Sequence, residues 1–189
     1  MPTLRAFVGV PVDKAVAARI YAVRTAFGDG AVRWIPAENL HLTLKFLGNV
    51  EEAQVASIRS VLREALAGAV AVPVTAAGLG VFPDARRPRV LWVGLAGREL
   101  ARLAGRVEGA LKPLGFEKAA TAFRPHATIG RWRRPELRGK DLREELARWR
   151  DREFGTFRID EVTLFRSVLQ PAGAVYTALE VFPLEPATH

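Results

Sequence analysis

Cysteine is absent from the 189 residues, which excludes disulfides, thiolate nucleophiles and thiolate metal sites. Histidine is nearly absent, with three copies at His41, His126 and His189. No apolar run approaches the roughly 20 residues that a membrane span needs. The opening stretch MPTLRAFVGVPVDK lacks the basic-then-apolar layout of a signal peptide and reads as a first strand. The expected compartment is therefore the cytoplasm, with no membrane partner. No Gly-rich phosphate loop follows an expected strand, and no Ser-centred G-x-S-x-G elbow occurs. Lysine is scarce: 23 of the 28 basic residues are Arg and 5 are Lys, and 20 acidic residues leave a net +8. An Arg excess suits a phosphate-bearing partner, because the guanidinium fork matches phosphate oxygens. It also follows from an Ala- and Arg-rich base composition, and charge balance alone does not separate the two.

What is present reads as an ordinary globular chain, 49% hydrophobic and 25% charged. Expected strands cover 4–10, 32–35, 41–47, 70–79, 90–95, 123–130, 157–165 and 175–182. Expected helices run from Asp13 to Phe27, Glu51 to Leu66, Glu99 to Leu114 and Leu142 to Trp149. The segment GDG (28–30) breaks the first helix, Gly115 ends the third, and 131–135 and 170–173 are turns. Many strands are neighbours joined by turns, so the fold class is α+β with antiparallel sheets. HLTL (41–44) and HATI (126–129) share the frame His-x-Thr-aliphatic. This echo predicts a single domain of two pseudo-symmetric αβ lobes facing a central cleft, the first spanning about 1–84.

In a strand, side chains at i and i+2 share a face. His41 and Thr43 then project together into the cleft while Leu42 and Leu44 enter the core. His126 and Thr128 do the same against Ala127 and Ile129. A lone histidine in a strand is most often a packed or surface side chain, and Thr at i+2 is simply a good strand former. Two copies of one frame in a chain almost free of histidine point instead to chemistry. Two imidazoles facing one cavity supply a base and an acid near neutral pH. Two hydroxyls supply donors to the charged oxygens of a phosphate. No third ligand joins either pair at a metal-binding spacing, so neither metal nor cofactor is expected. His189, the last residue, is expected to be frayed.

NLHLTLKFLG (39–48) and FRPHATIGR (123–131) resemble the two signature strands of the two-histidine phosphoesterase superfamily. The likeness is closest to the RNA 2′,3′-cyclic phosphodiesterases, historically called 2′-5′ RNA ligases. It extends to RAFVGVPV, VRWIPAENL, GLGVFPDARRPRVLWVGL and FRIDEVTLFRSVL, in the family's order. The resemblance implies two αβ lobes about a pseudo-twofold axis. It implies metal-independent opening of RNA 2′,3′-cyclic phosphate ends to 2′-phosphomonoesters, with reversible 2′-5′ RNA ligation as a side activity. It makes His41 the general acid on the departing 3′-oxygen and His126 the general base on water, with Thr43 and Thr128 on the phosphate oxygens. The two tetrapeptides alone do not distinguish acid from base.

Other candidates are read from position. Strict alternation puts Lys45 on the Thr43 face, as a phosphate neutraliser or an ordinary exposed lysine. Alternation sends Arg131 to the wrong face unless Gly130 allows a bulge, and the family often carries an Arg there, which favours a phosphate contact. Arg124 is a cleft or rim residue. Phe82 and Trp34 are candidates for stacking on a base, with Trp34 also a candidate core residue. The tract 131–152 holds nine bases and five acids and is either an RNA-tracking surface or a solvated helix with pairs such as Glu144–Arg148. The expected partner is RNA with a 2′,3′-cyclic phosphate end, bound by a monomer. The alternatives are a phosphodiesterase for a small cyclic nucleotide or ADP-ribose cyclic phosphate, and a non-catalytic module that binds RNA ends.

Overall fold

The computed structural model describes residues 2–27, 32–118, 120–132, 142–171 and 173–186. The expected break at 28–30, most of the basic turn after Trp132, the middle of the tract 131–152 and His189 lie outside them. Nine strands form one antiparallel sheet: β1 (Thr3–Pro11), β2 (Val32–Trp34), β3 (His41–Glu51), β4 (Val72–Phe82), β5 (Val90–Ala96), β6 (His126–Trp132), β7 (Glu153–Ile159), β8 (Glu161–Gln170) and β9 (Gly173–Pro183). The order is β7-β4-β5-β6-β3-β1-β8-β9, with β2 paired to β6. The two halves of that order mirror each other about the β3–β6 junction, where Leu42 faces Ala127. Both motif strands are thus the central pair of a curved α+β half-barrel.

The lobes do not follow the halves of the chain. β1 and β3 are completed by the C-terminal hairpin β8–β9, while β4 to β7 form the other lobe between them in sequence. The expected boundary near residue 84 is therefore replaced by a nested arrangement. The expected strand 157–165 is two strands, broken at Asp160. β7 pairs with β4 and β8 with β1, so the chain leaves one side of the sheet at Asp160 and joins the other. A periodic pattern cannot signal that change of partner, because Ile159 and Val162 are both buried on either side of it.

The described residues hold five α-helices, α1 (Lys14–Tyr21), α2 (Arg24–Phe27), α3 (Val55–Leu66), α4 (Leu100–Leu111) and α5 (Arg143–Trp149), of which α1, α3 and α4 bury side chains in the core. Asp13 caps α1, its carboxylate accepting from the backbone N–H groups of Ala15 and Val16 at 2.9 and 3.1 Å. α1 stops at Tyr21 and a separate turn, α2, follows, so the region read as one helix is two. α3 and α4 pack on each other, and α3 buries Ile58, Leu62 and Leu66 while α4 buries Leu103, Val107 and Leu111. Gly115 ends α4 and its 3₁₀ extension at φ 87°, the left-handed conformation that favours glycine. In α5 it is Glu145, not Glu144, that pairs with Arg148, at 3.3 Å, and it also accepts from the Trp149 indole.

Candidate active site

Each histidine begins its strand, and each ring is held by the same local device. His41 Nδ1 lies 2.7 Å from the Asn39 carbonyl oxygen, and His126 Nδ1 lies 2.6 Å from the Arg124 carbonyl oxygen. A carbonyl only accepts, so Nδ1 carries the hydrogen in both rings. Nε2 is left as the working nitrogen: a base when the ring is neutral, an acid when it is charged. Both rings, with Thr43 and Thr128, line one cleft of about 1630 Å³ between the lobes. This is larger than the roughly 300–1,000 Å³ of an ordinary small-molecule pocket.

The surroundings of the two rings differ. His41 sits among Phe7 (ring centroids 4.7 Å apart) and Tyr176 (5.0 Å, edge-on at 81°). His126 meets Phe82 edge-on at 5.1 Å and Trp92 at 6.0 Å. Burial pushes the His41 pKa below its ordinary value of 6.5, against the Asn39 carbonyl, which raises it. The charges of His126 and Arg131 lower it further. Burial raises the Tyr176 phenol, while Arg131 and Arg5 act the other way.

A bulge follows each motif. In the β1–β3 register Gly9 faces Thr43 and Val8 faces Lys45, so Leu44 is extra. In the β5–β6 register Trp92 faces Thr128 and Leu91 faces Gly130, so Ile129 is extra. The first bulge sets Lys45 opposite the buried Val8, out of step with Thr43, and Lys45 lines the cleft at the end where Glu108 and Glu117 lie. Lys45 is 8% exposed, bonds Glu108 of α4 at 2.9 Å and donates to the Glu117 carbonyl. It is neither an exposed lysine nor a free cation for a phosphate. The second bulge brings Arg131 back into step with Thr128, as Gly130 allows. A Cβ at Gly130 would lie 2.5 Å from Val32 Cγ1, so β2 lies close only because that residue has no side chain.

The remaining candidates are placed as follows. Phe82 borders the cleft beside His126. Trp34 reaches the cleft wall but packs against the core and edge-on against Phe27 at 6.1 Å. Arg124 lines the rim, and its carbonyl holds His126. Arg5, Phe7, Arg33, Phe46 and Tyr176 also line the cleft, and sequence reasoning did not find them. Phe46 was open to discovery: laying HLTLKF over HATIGR sets it against Arg131. Tyr176 arrives on β9, more than a hundred residues from His41, and nothing local announces it. Among the described residues no group of three or more His, Cys, Asp or Glu could hold a metal ion. Among them, too, no helix is long and apolar enough to cross a membrane.

Residues 12–170 match the model of the family described as the 2′-5′ RNA ligase superfamily. Over 184 residues the chain is 35% identical to the RNA 2′,3′-cyclic phosphodiesterase of Methanothermobacter thermautotrophicus, covering 96% of this chain and 99% of that one. It is 34% identical over 188 residues to the RNA 2′,3′-cyclic phosphodiesterase of Aquifex aeolicus, covering 97% and 99%. A crystal structure from Thermus thermophilus superposes with a TM-score of 0.82 at 25% identity, over 98% of this chain and 100% of that one. The apo form of E. coli LigT shares the fold, with a TM-score of 0.75 at 23% identity over 98% and 99%.

Proposed function

Because this chain belongs to the 2′-5′ RNA ligase superfamily, we propose that its cleft opens 2′,3′-cyclic phosphates at RNA ends to 2′-phosphomonoesters. The observation that carries this is the pair of histidines, each with Nδ1–H on the carbonyl two residues back. Neutral His126 takes a proton at Nε2 from water as the water oxygen bonds to phosphorus. The bond from phosphorus to the 3′-oxygen breaks, and charged His41 gives its Nε2 proton to that oxygen. Thr43, Thr128 and Arg131 hold the non-bridging oxygens, where charge accumulates in the transition state. With a 5′-hydroxyl in place of water as the nucleophile, the same steps join a 2′,3′-cyclic phosphate to that hydroxyl, a 2′-5′ ligation.

Burial lowers His41 in the free protein, against its role as acid. A bound phosphate anion reverses that, since negative charge beside an imidazole favours the charged form. The substrate thereby arms its own acid. The cleft volume and the +8 charge suit a polymeric end more than a single small nucleotide. That one chain supplies both motifs supports a monomer as the active unit.

The test is an oligoribonucleotide ending in a 2′,3′-cyclic phosphate, incubated with EDTA, with the product end identified. A 2′-phosphomonoester is expected at undiminished rate. An intact end, a 3′-phosphate, or activity restored only by a divalent metal overturns the proposal.

A further inference from the structure

The cleft is electrically lopsided. Its two carboxylates among the described residues, Glu108 and Glu117, lie with Lys45 and Lys118 at one end, and Glu108 neutralises Lys45. The other end carries Arg5, Arg33 and Arg131, all exposed. Arg33 and Arg131 are direct cross-strand partners in the β2–β6 pair. Like charges placed opposite one another destabilise a sheet unless something negative lies between or over them. Arg5 stands opposite Ser167 in the β1–β8 pair, and the charges of Arg5 and Arg131 both reach the Tyr176 phenol. Arg33 lies along this lane, its Nη2 donating to the Pro171 carbonyl of the β8–β9 turn at 3.1 Å. Neither Arg5 nor Arg131 meets a carboxylate among the described residues.

A cyclic phosphodiester carries one negative charge. Arg131, beside the two His-x-Thr pairs, is enough to balance it. Arg5 and Arg33 line the same cleft, and neither is in an ion pair with a carboxylate among the described residues. We infer that Arg5 and Arg33 form a second phosphate subsite, which takes the phosphate on the 5′-oxygen of the nucleotide whose cyclic end is being opened. This rests on the proposed function and adds to it which substrates are preferred. The same chemistry is offered by a 5′-monophosphate on a single nucleotide and by the phosphodiester that links the terminal nucleotide to the rest of an RNA.

Three substrates separate the sources: a nucleoside 2′,3′-cyclic phosphate with a free 5′-hydroxyl, its 5′-phosphorylated form, and the dinucleotide ending in the same cyclic phosphate. kcat/KM is measured for each at low and high salt. Both phosphorylated substrates are expected to exceed the plain one by about tenfold, the scale of a charge-assisted hydrogen bond. The advantage should shrink as salt rises. Arg5→Ala and Arg33→Ala are each expected to cut the ratio of phosphorylated to plain substrate. Arg5→Ala leaves the Arg33–Pro171 contact untouched, so a loose β8–β9 turn cannot account for its effect. Arg131→Ala is expected to slow all three substrates together.

Equal kcat/KM for all three substrates overturns the subsite. So does a gain confined to the dinucleotide, which would assign it to the extra nucleoside. A ratio unchanged in both Arg5→Ala and Arg33→Ala overturns it as well. Failure to open any of the three is a different result, and counts against the proposed function.

Discussion

Phe46 and Arg131 occupy equivalent places in the two central strands, each two residues beyond the extra residue of the bulge that follows a His-x-Thr pair. The bulge brings both side chains back to the cleft face, where Phe46 stays 66% exposed beside Phe7. One lobe therefore offers a bare ring, the other a bare cation. The two halves match at HLTL and HATI and differ at this position on the cleft wall.

The bulge at Gly130 is the device that places Arg131, so it should be sensitive to one methyl group. Gly130→Ala puts a Cβ 2.5 Å from Val32 Cγ1, and β2 must move away. Overpacking of this kind costs about 1–3 kcal/mol. We expect Gly130→Ala to lower both thermal stability and kcat/KM, the latter towards the level of Arg131→Ala. Loss of stability with wild-type kcat/KM would show that Arg131 does not depend on the bulge.

Lys45 should behave as a structural residue. It ties β3 to α4 and to the Glu117 carbonyl from a site that is 8% exposed. Lys45→Met keeps the volume and removes the charge. Glu108 is 26% exposed and can recover some hydration, so the cost falls towards the low end of what a broken buried pair gives, about 1–3 kcal/mol. Denaturant unfolding should show that loss, with kcat/KM reduced less than in Arg131→Ala. A stable Lys45→Met protein with the larger catalytic defect would return Lys45 to the phosphate.

Much of this site was open in the sequence because its chemistry sits in two local frames. His41, Thr43, His126 and Thr128 follow from the period of a strand, and the strand is what the structure has. Lys45 lines the cleft but not by the alternation that placed it there, because the rule was run one residue too far, through a bulge that only the partner register reveals. Gly130 gave a hint of the second bulge. Lys45, a long side chain at the matching place, gave none of the first. The nested lobes were hidden for a related reason. That β8 pairs with β1, across some 150 residues, is a fact about the sheet and leaves no period in the chain. Tyr176 joins the site only through that pairing, by way of β9 on β8, while Arg5 and Phe7 come from β1 beside β3.

The pH dependence should carry the mark of His41. The acid must be charged in the free enzyme, and burial holds its pKa below 6.5. kcat/KM should therefore begin to fall with rising pH below that value. In the complex the phosphate raises the same group, so the alkaline fall in kcat should come at higher pH. Stability follows the opposite sense. A histidine lowered by folding contributes fully above its unfolded pKa, and the contribution is lost as pH falls through and below 6.5. Thermal unfolding at pH 7 and pH 5 should show a smaller difference in His41→Gln than in the wild type. Coincident alkaline limbs for kcat and kcat/KM would argue against substrate arming of the acid.

The division of labour between the rings is the most exacting test. His41→Ala and His126→Ala should each cost about 10²–10⁴-fold in rate. The double variant should cost less than the product, because the two rings act as a unit. Thr43→Ala and Thr128→Ala should cost less, each removing one bond to a charged oxygen worth about 1.5–3 kcal/mol. The carbonyl contacts at Asn39 and Arg124 make the rings equivalent in tautomer, so the local geometry does not choose between them. Substrate chemistry does. A leaving group that departs as a stable anion at the 3′-position needs no proton, so it should restore the variant that lacks the acid and leave the one that lacks the base slow. Rescue of His41→Ala alone is the expected result. Rescue of His126→Ala alone would exchange the roles, and equal rescue of both would mean that neither ring is a dedicated acid.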